Sequence, residues 1–235
     1  MRLRHRRARA TALALALVMG SALTACSSDK TAEAKLTVVE QLAAAKAKAD
    51  AATSLHLTLR SSGIPESANG ILAADGSGTH APAFKGTLDA RIAGFAAKVE
   101  VVAIDKLLYL KLPFTTEFAE TDPKQYNAPN PALLFASDGG ITSLMTATTN
   151  PVEGKQTRAG ADVLKTISGE LPGSAVEKLL NFGDSTKTFD VTYGITDPGG
   201  ELRTVTLVGP FFKGATSTYV LTLDKYGAPV EIAKP

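Results

Sequence analysis

The sequence predicts an α+β protein built on one large antiparallel sheet, and three observations carry that prediction. An early segment repeats its apolar residues every three to four positions. Most later segments alternate at every second position. Gly-, Pro- and Asp-rich turns separate those later segments, with no compositional break to divide the chain into domains.

The helical period comes first. Val39, Leu42, Ala45, Ala49 and Ala52 share a face while Glu40, Lys48 and Asp50 fall elsewhere, which predicts an amphipathic helix over 33–53. At Ser54 the period becomes two, with Leu55, Leu57 and Leu59 alternating with His56, Thr58 and Arg60. Further strands are predicted near 70–79, 84–93, 95–104 and 107–112, the last two joined through Ile104-Asp105-Lys106. Residues 113–130, with Pro113, Pro123 and Pro129, read as a long irregular connection, a kind of segment that is often functional. Leu133, Leu134, Ile141, Leu144 and Met145 predict one or two short helices broken by Asp138-Gly139-Gly140. A strand pair follows at 152–159 and 162–170, and Ser174 with Glu177 reads as a capping box for a helix through Phe182. A meander at 188–196, 201–208, 215–224 and 229–233 completes about ten strands.

Alternation also assigns faces. Asp89 and Arg91 are expected in solvent, turning Leu88, Ala90 and Ile92 inward; Lys98 and Glu100 likewise leave Val99, Val101 and Ala103 inward. Leu108, Leu110 and Leu112 join them, as do Val191, Tyr193 and Ile195, Val205 and Leu207, and Tyr219, Leu221 and Leu223. Periodicity leaves open whether these faces meet tightly or enclose a cavity.

The N-terminus sets the compartment. Arg2, Arg4, Arg6, Arg7 and Arg9 precede an apolar run from Ala10 to Met19, the form of an export signal. That run is shorter than the ~20 residues a membrane-spanning helix needs. It ends in Leu23-Thr24-Ala25-Cys26, which resembles a lipobox: an aliphatic residue, two small ones and the cysteine that receives diacylglycerol before cleavage. Residues 1–25 therefore read as a lipoprotein signal peptide, 26–34 as the lipidated N-terminus and flexible tether, and 35–235 as one domain. The expected location is the extracytoplasmic face of the cell membrane, with the anchor at Cys26.

Composition narrows the function. Cys26 is the sole cysteine, so no disulfide forms within the chain and its core must hold it. Setting aside the five leader arginines leaves 20 basic against 23 acidic residues, a formal −3, which removes the electrostatic case for nucleic-acid binding. No Gly-x-Ser-x-Gly elbow occurs. The mature part contains two histidines, His56 on a strand face and His80 in a turn, both expected to be solvated; no catalytic, zinc or cofactor site is expected. Gly76-Ser77-Gly78 lacks the continuation of a phosphate-binding loop and reads as a loop, with Asp75 in a turn rather than in a calcium site.

The order of segments resembles the LppX/LprG family of mycobacterial cell-envelope lipoproteins. The stretches that carry the resemblance are Ser54-Leu-His-Leu-Thr-Leu-Arg, Gly86-Thr-Leu-Asp-Ala-Arg-Ile, Val99-Glu-Val-Val-Ala-Ile-Asp-Lys-Leu-Leu-Tyr-Leu and Leu221-Thr-Leu-Asp-Lys-Tyr-Gly-Ala-Pro-Val-Glu-Ile, in that order behind a lipobox. The lack of tryptophan and the abundance of Ala, Gly, Thr and Leu also resemble proteins of high-GC actinobacteria. The resemblance implies a half-barrel: a strongly curved antiparallel sheet with helices across its concave face, enclosing an apolar cavity. It implies a lipid carrier whose ligand is an acylated lipid such as a phosphatidylinositol mannoside, lipoarabinomannan or triacylglycerol, working in some members beside a membrane exporter. The cavity is then expected among Leu88, Ala90, Ile92, Val99, Val101, Ala103, Leu108, Leu110, Val191, Tyr193, Ile195 and Leu221, with Leu88, Ala90 and Ile92 nearest its mouth. The alternative is a non-carrier envelope module, a sensor or an accessory subunit of a membrane complex, using the same sheet.

Overall fold

The computed structural model describes residues 36–92, 94–126 and 128–235; the signal peptide, Cys26 and the tether lie outside the described residues. Helix α1 spans Val38–Ala51 and starts later than the apolar period predicts, because Thr37 and Glu40 form a capping box. The Glu40 backbone N–H donates to Thr37 Oγ1 at 3.3 Å and the Thr37 N–H donates to Glu40 Oε2 at 2.7 Å. Such a cap is worth about 1 kcal/mol, enough to fix where a helix starts. The bonds from Thr37 hold the Glu40 carboxyl below the usual carboxylate range. Leu42, Ala45 and Ala49 are buried as expected, but Val39 is 63% exposed, because the packed face runs through its neighbour Val38 instead.

Twelve strands follow among the described residues: β1 Ser54–Ser62, β2 Gly70–Thr79, β3 Ala83–Ile92, β4 Phe95–Ile104, β5 Leu107–Lys111, β6 Ala119–Thr121, β7 Thr149–Glu153, β8 Thr157–Ala159, β9 Asp162–Pro172, β10 Thr188–Thr196, β11 Leu202–Phe212 and β12 Ala215–Asp224. Two short 3-10 turns, Pro123–Tyr126 and Pro131–Phe135, and helices α2 (Ser143–Ala147) and α3 (Gly173–Leu180) complete the structure. The strands form one open sheet in the order β6-β5-β4-β3-β2-β1-β12-β11-β10-β9-β7, with β8 also on β9. Every pairing is antiparallel, as hairpin-linked strands require. The chain closes a circuit within the sheet: β12 returns to pair with β1, setting Leu57 opposite Leu223 and Leu59 opposite Leu221.

Four expectations are corrected. No strand forms over 229–233, because both edges of β12 are already taken by β1 and β11 and a returning strand has no backbone left to pair with. The Ser174–Glu177 capping box does not form: β9 runs straight into α3, the N-cap is Pro172, and the Gly173 N–H donates to the Lys187 carbonyl. The 113–130 connection is not wholly irregular, since β6 and a 3-10 turn lie within it. Asp75 and Gly76-Ser77-Gly78 lie inside β2, not in a turn or loop.

The interior is filled unevenly. α1 packs against α2, β7 and β11, and α3 packs against β9 and β10. The cover over β2, β3 and β4 is instead the 3-10 turn Pro131–Phe135. Helical side chains thus fill one half of the sheet, while a proline-rich connection roofs the other.

Candidate functional site

The roof over β2–β4 rests on an exchange of ring for side chain. On β2, a Cβ at Gly78 would lie 2.3 Å from the Phe135 ring, and one at Gly76 would lie 2.5 Å from Phe84. Only glycine allows these rings so close to the strand backbone. The two rings stack with centroids 5.8 Å apart. Asn130 fixes the start of the turn: its Oδ1 accepts from the Ala132 N–H at 3.0 Å, and its Nδ2 donates to the Asp105 carbonyl at the β4–β5 hairpin, also at 3.0 Å. His80 clamps the other end, its ring nitrogens meeting the carbonyls of Ala49 (2.9 Å) and Phe135. It is therefore a structural brace between α1 and the roof, not the solvated side chain that the sequence predicts. His56 is likewise not free in solvent, since it sits 2.6 Å from Asp224 and 3.3 Å from Asp75.

Beneath the roof are two apolar cavities, of about 350 and 100 Å³. They share the walls Ile71, Leu88, Ala128, Pro129, Pro131 and Phe182, so they adjoin. The larger is bounded by β3, β4 and β5 through Leu88, Ala90, Ile92, Val99, Leu108 and Leu110, and by Tyr126 and the prolines of the connection. It reaches solvent beside Leu112, a lining residue that is 41% exposed. Phe182, on the wall shared by both cavities, meets Phe212 of the larger and Tyr219 of the smaller, each with ring centroids 6.0 Å apart. The Tyr219 hydroxyl is buried without a hydrogen-bond partner, and burial pushes its pKa up to about 12. That hydroxyl stays neutral at the wall of the smaller cavity, whereas the larger one is lined in part by Arg91, which donates to the Pro65 carbonyl at 3.1 Å.

Proline and a left-handed residue shape the chain beside the opening. In Leu112-Pro113-Phe114-Thr115 the Thr115 N–H donates to the Leu112 carbonyl at 3.1 Å, and Phe114 has φ +70°. This is a type II turn with its usual proline, but with phenylalanine where glycine or asparagine is normal. The left-handed conformation costs a residue with a Cβ about 1–2 kcal/mol. The Phe114 ring does not recover that by packing, since it is fully exposed.

The two cavities are walled mainly by aliphatic and aromatic side chains and prolines, with Arg91 the charged residue on the larger one, and so provide apolar burial. The model of the LppX_LprAFG lipoproteins matches residues 34–232. The chain belongs to that family. Among solved structures, it resembles LprF from Mycobacterium bovis with a TM-score of 0.68 at 15% identity, over 84% of this chain and 96% of that one. It resembles lipoprotein LppX from Mycobacterium tuberculosis with a TM-score of 0.63 at 20% identity, over 83% and 98% of the two chains. At such identities the likeness is one of fold. A comparison with curated proteins finds no match.

Within this LppX_LprAFG fold the twelve inward residues divide into two groups. Leu88, Ala90, Ile92, Val99, Leu108 and Leu110 line the larger cavity, and Leu88 and Leu221 the smaller. Val101, Ala103, Val191, Tyr193 and Ile195 lie in the packed core and on neither cavity wall. Alternation identifies the face, but the helices decide which part of it is filled: Val191, Tyr193 and Ile195 are on β10, which α3 packs against. The Tyr193 hydroxyl is paired with Thr148 Oγ1 at 2.8 Å, and burial raises its pKa. Sequence reasoning missed Ile71, Tyr126, Phe182 and Phe212. Of these, Tyr126 had a signal, since it lies in the long connection singled out for its length.

Proposed function

We propose that this chain is a membrane-anchored extracytoplasmic carrier that holds acyl chains in its two adjoining cavities and moves them between lipid surfaces of the cell envelope. The apolar space under the Pro131–Phe135 roof carries this reading. It is read as the interior of a half-barrel, with α1 and α2 across the concave side of the sheet. Cys26 is read as the acylated anchor holding the domain at the cell membrane.

The physics requires such a space. Drawing a sixteen-carbon chain into water costs about 12 kcal/mol at about 0.8 kcal/mol per methylene. A carrier must offset that cost with an interior nearly as apolar as the bilayer, and aliphatic walls do so without fixing one pose. A void of about 150 Å³ holds a benzene ring. The two cavities together give about 450 Å³, room for roughly eighteen carbons, or one acyl chain. Ligands with several chains, such as phosphatidylinositol mannosides, lipoarabinomannan or triacylglycerol, therefore need the proline-rich roof to lift or one chain to stay outside. No energy source for directed transfer is evident in this chain, so direction comes from a lipid gradient or a membrane exporter.

The test is native mass spectrometry of the protein made in its own host with Cys26→Ala, alongside membrane fractionation. Co-purified acyl lipid and loss of membrane retention support both parts of the reading. An empty, compact protein points instead to a non-carrier binding module. Unchanged retention of the mature variant removes Cys26 as the anchor.

A further inference from the structure

We propose that the sheet tip formed by Phe95 and the Pro113-Phe114 turn is a docking surface for a phospholipid bilayer, and that it sets the cavity opening against the membrane. The inference rests on the carrier reading for its purpose but not for its evidence.

Three observations coincide at this end of the sheet. Phe95 is 78% exposed and pairs in register with Ile92, a cavity wall. Phe114 is fully exposed and stands two residues beyond Leu112, which both lines the cavity and meets solvent. Phe114 also holds a left-handed backbone that glycine would adopt without strain. A bulky ring held in an unfavourable conformation, and in water, gains nothing within this fold; its gain must come from something outside.

The chemistry of the surroundings selects the occupant. The basic residues nearest the tip are already engaged within the fold: Lys111 lies 3.4 Å from Glu100, Lys98 pairs in register with Asp89, and Arg91, opposite Ala96, lines the cavity and donates to the Pro65 carbonyl at 3.1 Å. Attraction to the occupant is therefore apolar. The tether read from the sequence, residues 26–34, extends at most about 3.6 Å per residue, so the domain stays within about 32 Å of the lipid that holds Cys26. A phospholipid interface is the apolar partner this tip meets continually, and aromatic rings are suited to inserting at its headgroup boundary. Docked in this way, the opening lets an acyl chain pass between bilayer and cavity without crossing water.

The chain contains no tryptophan, so one introduced indole reports its own surroundings. Lipidated full-length mature protein carrying Phe114→Trp is reconstituted in phosphatidylcholine vesicles, with Val152→Trp as reference, since Val152 is 60% exposed on β7. The indole of Phe114→Trp should show blue-shifted emission and several-fold protection from aqueous acrylamide, unchanged by salt, while that of Val152→Trp stays accessible. Equal accessibility of the two indoles overturns the proposal. So does protection that appears only at high protein density, which would make a second copy of the chain the occupant. Phe95→Ser with Phe114→Ser should slow lipid transfer between vesicles about tenfold while leaving bound lipid unchanged. Absence of bound lipid from the unaltered protein would defeat the carrier reading alone; a shielded indole in Phe114→Trp would still establish docking.

Discussion

Replacing Ala90 with tryptophan separates a lipid cavity from a packed core. Ala90 is 6% exposed and lines the larger cavity from β3. A void of about 150 Å³ admits a benzene ring, so the 350 Å³ space accepts an indole with room to spare. The structure therefore predicts little change in thermal stability for the lipid-free protein. Val101 supplies the contrast: it faces the same way from β4, is 1% exposed and belongs to the filled core. An indole there overpacks, costing about 1–3 kcal/mol. For a domain of this size each kcal/mol lowers Tm by about 2–4 °C, so Val101→Trp should lose about 2–12 °C. The assay is circular dichroism melting of delipidated protein, paired with native mass spectrometry of protein purified without delipidation. Ala90→Trp should melt normally yet carry less lipid, while exposed Asp89→Asn changes neither. If Ala90→Trp is destabilised as much as Val101→Trp, the cavity is not a usable space; if it is stable and fully loaded, Ala90 is not on the ligand path.

Three further outcomes are expected. Gly78→Val should place a side chain into the Phe135 ring and cost about 1–3 kcal/mol, read as a lower urea midpoint; an unchanged midpoint would show that the roof moves freely. Phe114→Gly should stabilise the fold by at most about 1 kcal/mol, since relief of about 1–2 kcal/mol of left-handed strain is partly offset by the roughly 0.5–1 kcal/mol that glycine's greater chain entropy costs, and a lower Tm would contradict that account. Tyrosine ionisation should destabilise the fold at alkaline pH. In the unfolded chain Tyr219 loses its proton near pH 10, but in the folded chain near pH 12, so its contribution is complete below pH 10 and is lost between 10 and 12. Burial also raises the pKa of Tyr193 and Tyr226. Urea midpoints across pH 8–12 should fall over that window, and less steeply in Tyr219→Phe; an identical slope would remove Tyr219 from the account.

The sequence by itself determined the strands and their faces. Period-two alternation and turn residues are local, so β2 and β4 emerge at their observed bounds, and Leu88, Ala90 and Ile92 are assigned to the side where the cavity lies. It also pointed to the family, through segment order behind the lipobox. Where local signals compete, tertiary pairing prevails: residues 229–233 alternate like a strand but find the edges of β12 occupied, and the Ser174 cap yields to a strand that runs into the helix. His80 and Gly78 show what a sequence cannot display. One is a brace and the other a seat only because Ala49 and Phe135, far away in the chain, arrive beside them. The same holds for the cavity. Val191 and Ala90 obey one alternation rule, yet one is packed and the other faces a void, because the element covering each is chosen by the path of the chain. Alternation fixes a side chain's direction relative to its own strand; what fills the space in front of it depends on contacts between distant residues.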